Sequence, residues 1–140
     1  MKKISFLGFL LAWFVSSASC AESFYSHNRF ISYTEVGEGL PLVLIHAFPT
    51  DKRLWTAQQE GLKKHFRVIS LDLWGFGESS SVNGGAVSMQ EYAEEVKELL
   101  KHLHIQKAII GGESMGGYIA LAFLEHYPIA SPEKFSSWPE

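Results

Sequence analysis

Residues 111–118 read GGESMGGY, one serine among four glycines. Within it, Gly112-Glu113-Ser114-Met115-Gly116 has the spacing G-x-S-x-G. An apolar run, KAII, precedes it and another, IALAFL, follows. The motif therefore closes a predicted buried strand and opens a predicted helix. That context suits a nucleophile: on a sharp strand-to-helix turn the serine Oγ projects above the sheet. The helix start supplies free N–H groups and a positive dipole end. Glycines at 112 and 116 let neighbouring backbone approach without a Cβ clash. Ser114 would attack a carbonyl, and the Met115 N–H would point where the oxyanion forms. Gly117 extends the small-residue run for helix-to-strand packing.

A serine hydroxyl needs a base. Only 26 residues follow Ser114, and among them are Glu125, His126, Glu133 and Glu140. His126 sits 12 residues further along the same predicted helix, about 18 Å away at the helical rise. It cannot reach Ser114 Oγ and reads as a cation at a helix C-terminus. His27, His65, His102 and His104 read as surface or helix-end residues. On a helix, His102-x-His104 would put its two side chains about 200° apart, so no metal site is expected there, and no cofactor is implied.

The elements that must position Ser114 follow from hydrophobic patterning. SFYSHNRFISYTEVGEG is aromatic and β-branched, and predicts one or two strands with a hairpin-like turn at the Gly-rich GEG. PLVLIH, RVISLD and KAIIGG are unalternating apolar runs, as in strands buried on both faces. RLWTAQQEGLKKH carries an incomplete apolar stripe. Over 88–103, Met89, Tyr92, Ala93, Val96, Leu99, Leu100 and Leu103 keep the spacing of one helix face. Ser88 with Glu91 fits a capping box at its start. SMGGYIALAFLEHY reads as a further helix, ending before Pro128. SSSVNGGAVS is a polar, Gly-rich loop. Alternating strands and helices imply an α/β fold with a mostly parallel sheet flanked by helices.

The chain has 140 residues, 46% of them hydrophobic, with a formal net charge of −3. That allows one domain with a packed core. No block of lysine or arginine stands out, so nucleic acid is not an expected partner. Residues 1–21 read as an export signal: a basic MKK, the apolar run ISFLGFLLAWFV, then small residues. The run is too short for a membrane span. Cys20 has two readings. Either SASC is a lipobox-like site whose cysteine is lipidated and anchors the protein to a membrane, or cleavage after Cys20 or Ala21 leaves it incidental. Expected localisation is periplasmic, secreted or lipid-anchored. Residues 128–140, PIASPEKFSSWPE, show neither strand nor helix pattern and are expected to form an irregular tail behind a domain spanning 22–127.

From about Phe30 to Tyr127 the chain resembles the N-terminal half of an α/β-hydrolase fold protein. LVLIHAFP is similar to that family's strand and His-Gly-x-Pro turn, with Ala47 where glycine is frequent. RVISLDLWGFGESS is similar to its next strand and Asp-x-x-Gly-x-Gly-x-Ser loop, and IIGGESMGGYIAL to its nucleophile elbow. The resemblance implies that Phe48 gives a second oxyanion N–H, that Pro49 fixes the turn, and that His46 braces it. It also implies that Asp72, with Gly75 and Gly77, orders the following loop and is not a catalytic acid. Glu78 reads as a solvated charge, and Trp74 as lining a pocket mouth or covering the loop.

The family's acid and histidine follow the serine, and neither is found here. The expectation is a serine hydrolase for small esters, thioesters or amides, cut to its N-terminal half, lacking the C-terminal strands and with little or no turnover. A serine at the elbow argues against the branches that use aspartate there, the dehalogenases and epoxide hydrolases. Two rivals are a non-catalytic binding protein built on half the fold and one chain of a split hydrolase completed by a partner.

Overall fold

The computed structural model describes residues 20–127. The expected export signal, apart from its last two residues, and the expected 128–140 tail lie outside these residues. In chain order the elements are β1 (Ala21–Ser26), β2 (Arg29–Val36), β3 (Leu40–Ile45), a 3-10 turn (Lys52–Trp55), α1 (Thr56–Leu62), β4 (Phe66–Leu71), α2 (Met89–His102), β5 (Ile109–Gly112) and α3 (Met115–His126). They form one sheet ordered β1-β2-β4-β3-β5. β4, β3 and β5 are parallel, whereas β1/β2 and β2/β4 are antiparallel. The sheet is thus mixed, with its parallel part where the apolar runs lie.

The hairpin is not at GEG. It is the two-residue turn His27-Asn28, with φ of 47° and 63°, the left-handed pair that matches the twist of antiparallel strands. Gly37-Glu38-Gly39 instead carries the chain from β2 to β3, which are separated by β4. Nothing in a glycine-rich turn says whether the strands it joins become neighbours.

Continuous apolar strands arise because both faces are covered. Val43 and Ile45 of β3 and Ile69 and Leu71 of β4 join Val96, Leu99, Ile119 and Phe123 of α2 and α3. Their alternates Leu42, Leu44 and Val68 pack with Trp55 and Leu62 on the α1 side. α2 begins at the expected capping box, with Ser88 and Glu91 each accepting from the other's backbone N–H. It ends where His104 turns left-handed at φ 54° and the Ile105 N–H reaches back to Leu100 O at 2.8 Å, a glycine-type stop made without glycine. His104 therefore lies outside the helix, and His102 stacks on Phe24 with ring centroids 4.4 Å apart.

From β3 the chain crosses to β4 on one side, then through α2 to β5 on the other. The reversal falls at the carboxyl ends of β3 and β5, the place where sheets of this kind bind ligands.

Candidate active site

Two chain segments meet at that point of the sheet. The first is the strand-to-helix turn after β5. Ser114 has φ 52° and ψ −114°, a conformation that costs a non-glycine residue about 1–3 kcal/mol. The surrounding backbone leaves it no alternative. The Glu113 N–H donates to Ile45 O at 3.2 Å, and Gly116 and Gly117 N–H donate to Glu113 O and Ser114 O at 2.8 and 2.9 Å. A Cβ on Gly112 would strike the Gly116 backbone, and one on Gly116 would strike the carbonyls of Ile45 and His46. Both glycines are therefore required by close approach. Ser114 is exposed, and Met115 opens α3, where the first N–H groups have no partner within the helix.

The second segment is the turn after β3. His46 is buried. Its Nε2 accepts from the Leu73 N–H at 3.1 Å and its Nδ1 bonds Ala47 O at 2.9 Å, so Nδ1 carries the proton. Burial pushes the imidazole pKa down, only partly opposed by the bond to Ala47 O. A neutral ring with both nitrogens engaged braces the turn and is no base for Ser114. The Thr50 N–H and Oγ1 close the turn on Ala47 O at 2.9 and 2.7 Å. The Phe48–Pro49 bond is cis. The Phe48 ring is 66% exposed and stands edge-on to Phe76 at 5.9 Å. Ala47, at the departure from glycine, is buried.

The loop after β4 supports both. Asp72 is buried and accepts from Lys52 N (2.7 Å), Lys52 Nζ (2.6 Å) and Glu78 N (2.8 Å). A carboxylate so occupied orders its own loop and cannot orient a histidine. Gly77, at φ 50°, lies flat against it; a Cβ would enter the carboxyl group. Gly75, at φ 86°, donates its N–H to Ser80 O at 2.9 Å. Glu78 is not simply solvated: its carboxylate accepts from Lys52 Nζ at 2.5 Å. Trp74 is buried, with the Arg29 guanidinium 4.1 Å from its ring centroid, so it covers the loop.

Two residues were missed by sequence reasoning. Lys52 is buried, and no sequence signal marks a paired interior lysine. Glu95 is also fully buried, its Oε2 accepting from the Trp74 N–H at 3.2 Å. It follows Tyr92 by three residues and precedes Leu99 by four, so the helix stripe itself could have flagged it. Two surface depressions, about 380 and 210 Å³, lie beside the 80–83 loop and beside β1, away from Ser114.

The sequence profile of the α/β hydrolase fold matches residues 41–137. A hydrolase of (E)-2-((N-methylformamido)methylene)succinate from Acinetobacter baylyi is 38% identical over 94 residues, 67% of this chain and 35% of its own length. A soluble epoxide hydrolase from a Corynebacterium species is 35% identical over 91 residues, 65% of this chain and 32% of its own. A thermophilic esterase from Thermogutta terrifontis superposes with a TM-score of 0.70 at 37% identity, covering 78% of this chain and 42% of the esterase. The chain thus spans about a third of the length of these curated relatives. With the fold, the elbow and the profile in agreement, the chain belongs to the α/β hydrolase fold family.

Proposed function

We propose that Ser114 is the nucleophile of an acyl-transferring serine hydrolase, with the Phe48 and Met115 N–H groups as its oxyanion donors. One observation carries this reading: Ser114 is held in a strained conformation at the head of α3, packed through Gly116 against Ile45 and His46, two residues from Phe48. Ser114 Oγ adds to a substrate carbonyl and its proton passes to a base. The carbonyl oxygen becomes an oxyanion held by the two N–H groups. Collapse expels the leaving group, and water then releases the acyl chain by the same route. Losing one such donor typically costs about 10²–10³ in rate.

The substrate class is small esters, thioesters or amides. The A. baylyi and T. terrifontis relatives, a hydrolase and an esterase by name, favour it. The epoxide hydrolase warns that family membership alone does not fix the chemistry. Serine at position 114 does the discriminating.

The base and its acid lie outside residues 20–127. His46 has both nitrogens engaged, His102 is stacked on Phe24, and His126 ends α3. The exposed Tyr118 and Leu121 on α3 favour supply by further polypeptide packing there, in the same chain or in a complementing one. Export remains part of the proposal, and Cys20, exposed and free, is a candidate for lipid attachment. Palmitate labelling of wild type against Cys20→Ser tests that; equal label would remove the anchor.

The test of function uses p-nitrophenyl esters. The full chain alone is expected to show no turnover above Ser114→Ala. Co-expression with the part of the T. terrifontis esterase that this chain does not cover is expected to produce turnover that Ser114→Ala abolishes. Turnover that survives Ser114→Ala would overturn the reading. Turnover by the chain alone, lost in Ser114→Ala, would keep the nucleophile and overturn the expected inactivity.

A further inference from the structure

The turn after β3 and the loop after β4 are joined twice. Near Ser114 the join is aromatic. Phe76 stands edge-on to His46 at 5.2 Å and to Phe48 at 5.9 Å, and the Leu73 N–H donates to His46 Nε2. Four residues past Phe48 the join is ionic. Lys52 Nζ donates to Asp72 Oδ2 (2.6 Å), Glu78 Oε2 (2.5 Å) and Ser32 Oγ (3.1 Å), while the Lys52 N–H takes Asp72 Oδ1 at 2.7 Å. Lysine is almost never buried this deeply unless paired. Burial opposes its charge, but the bonds and charges of Asp72 and Glu78 outweigh it and raise the pKa overall. The ammonium therefore persists at neutral pH.

We propose that Lys52 is a positioning residue: its ammonium, clamped between Asp72 and Glu78, ties the 73–80 loop to the 46–52 turn and so holds the Phe48 N–H where an oxyanion would form. This rests on reading Ser114 as the nucleophile. The bonds of Thr50 to Ala47 O give the turn its shape but do not fix it to the sheet. His46 does so at one end and Lys52 at the other. Charge-assisted bonds of this kind are short and about twice as strong as neutral ones. The loop cannot slip beneath the clamp, because Gly77 lies against the Asp72 carboxylate and the Glu78 N–H is bound to it. A shift of Lys52 would thus move both segments together, with Phe48 and Phe76 in contact between them.

A buried ion pair that only stabilised the fold would behave differently, and removing its lysine leaves Asp72 unpaired in the interior. The experiment therefore pairs Lys52→Met with the milder Glu78→Gln, whose carboxylate is largely exposed. Amide hydrogen exchange is measured on the full chain. In Lys52→Met, exchange at the bonded amides of Thr50 and residue 52 and at residues 73–79 is expected to rise together, about tenfold or more, while α2 and β5 stay unchanged, as for a local opening. Glu78→Gln is expected to give the same pattern at smaller amplitude, and Lys52→Arg to restore protection. Uniform acceleration across the sheet, or acceleration at 73–79 with residues 50 and 52 unchanged, overturns the proposal.

In the chain assembled with the esterase complement, Lys52→Met is expected to lower kcat with KM unchanged, as for an interaction made only in the transition state. A rise in KM alone counts against it. Ser114→Ala separates the two readings: it should abolish turnover and leave exchange at residues 50 and 52 as in wild type. Turnover surviving that change sinks the nucleophile while the exchange arm still decides the clamp.

Discussion

Glu95 shows what a single side chain contributes when it is buried without a full set of partners. Its Oε2 accepts from the Trp74 N–H, and its Oε1 has no partner. Burial drives its pKa well above the usual carboxylate value, more than the Trp74 bond and the charge of Arg29 lower it. The folded protein therefore keeps a proton that the unfolded chain releases. The native state binds more protons once pH exceeds the ordinary glutamate value, so stability falls as pH rises from there to the raised pKa, by at most about 1.4 kcal/mol per pH unit. Glu95→Gln removes this dependence while keeping the acceptor for Trp74. Urea unfolding at pH 5, 6, 7 and 8 should show the variant gaining on wild type as pH rises; parallel curves would count against a neutral Glu95. At the elbow, Gly116→Ala forces a Cβ into the carbonyls of Ile45 and His46, and should cost about 1–3 kcal/mol, as other overpacked sites do. A melting temperature within a degree of wild type would mean that the turn can give way.

The elements differ in how openly the sequence declares them. α2 has a regular apolar face and a capping box, so its start and face follow from local rules. Ser88→Ala should cost about 1 kcal/mol, read from chemical unfolding. α1 is harder to see because its apolar stripe is incomplete: Leu62 packs with Leu44 and Val68, but Gln59 is the buried residue, its Nε2 donating to Thr34 Oγ1 and Ser70 Oγ at 3.0 and 3.1 Å. Such a broken stripe announces a helix only weakly. Its Gly61 meets nothing within 4 Å of an added Cβ. Gly61→Ala should therefore stabilise by about 0.4–1 kcal/mol through lost freedom of the unfolded chain. Unchanged or lower stability would show strain that the helix hides.

At the scale of the molecule, the sheet of the described residues ends on β5, whose Ile109 is exposed, and α3 presents Tyr118 at 68% and Leu121 at 65% exposure. α3 is apolar around most of its circumference, the pattern of a helix covered on more than one side. Among the described residues nothing covers that second side. The full chain should therefore self-associate, since open edges and apolar patches of this kind are sticky. Sedimentation of wild type against a Tyr118→Gln/Leu121→Gln variant tests this: the variant should shift toward monomer. A wild type that is monomeric at high micromolar concentration would refute it.

Short-range chemistry was legible in the sequence. The G-x-S-x-G spacing, the three apolar runs, the capping box and the turn after β3 each depend on neighbours a few residues apart. Together they fixed the family and singled out Ser114, Phe48 and Met115 as candidates. What only the tertiary structure decided depends on residues far apart in the chain. β4 inserts between β2 and β3, so GEG joins strands that do not pair. Lys52 finds Asp72 and Glu78, so Glu78, which the sequence reads as a solvated charge, becomes part of a clamp. Glu95 is enclosed by the core, and burial outweighs its bond from the Trp74 N–H, so the pKa of an acid on a helix is driven upward. Local sequence dictates what a segment can form. The cost of burying a charge or leaving a donor unpaired is settled only by what the fold places beside it.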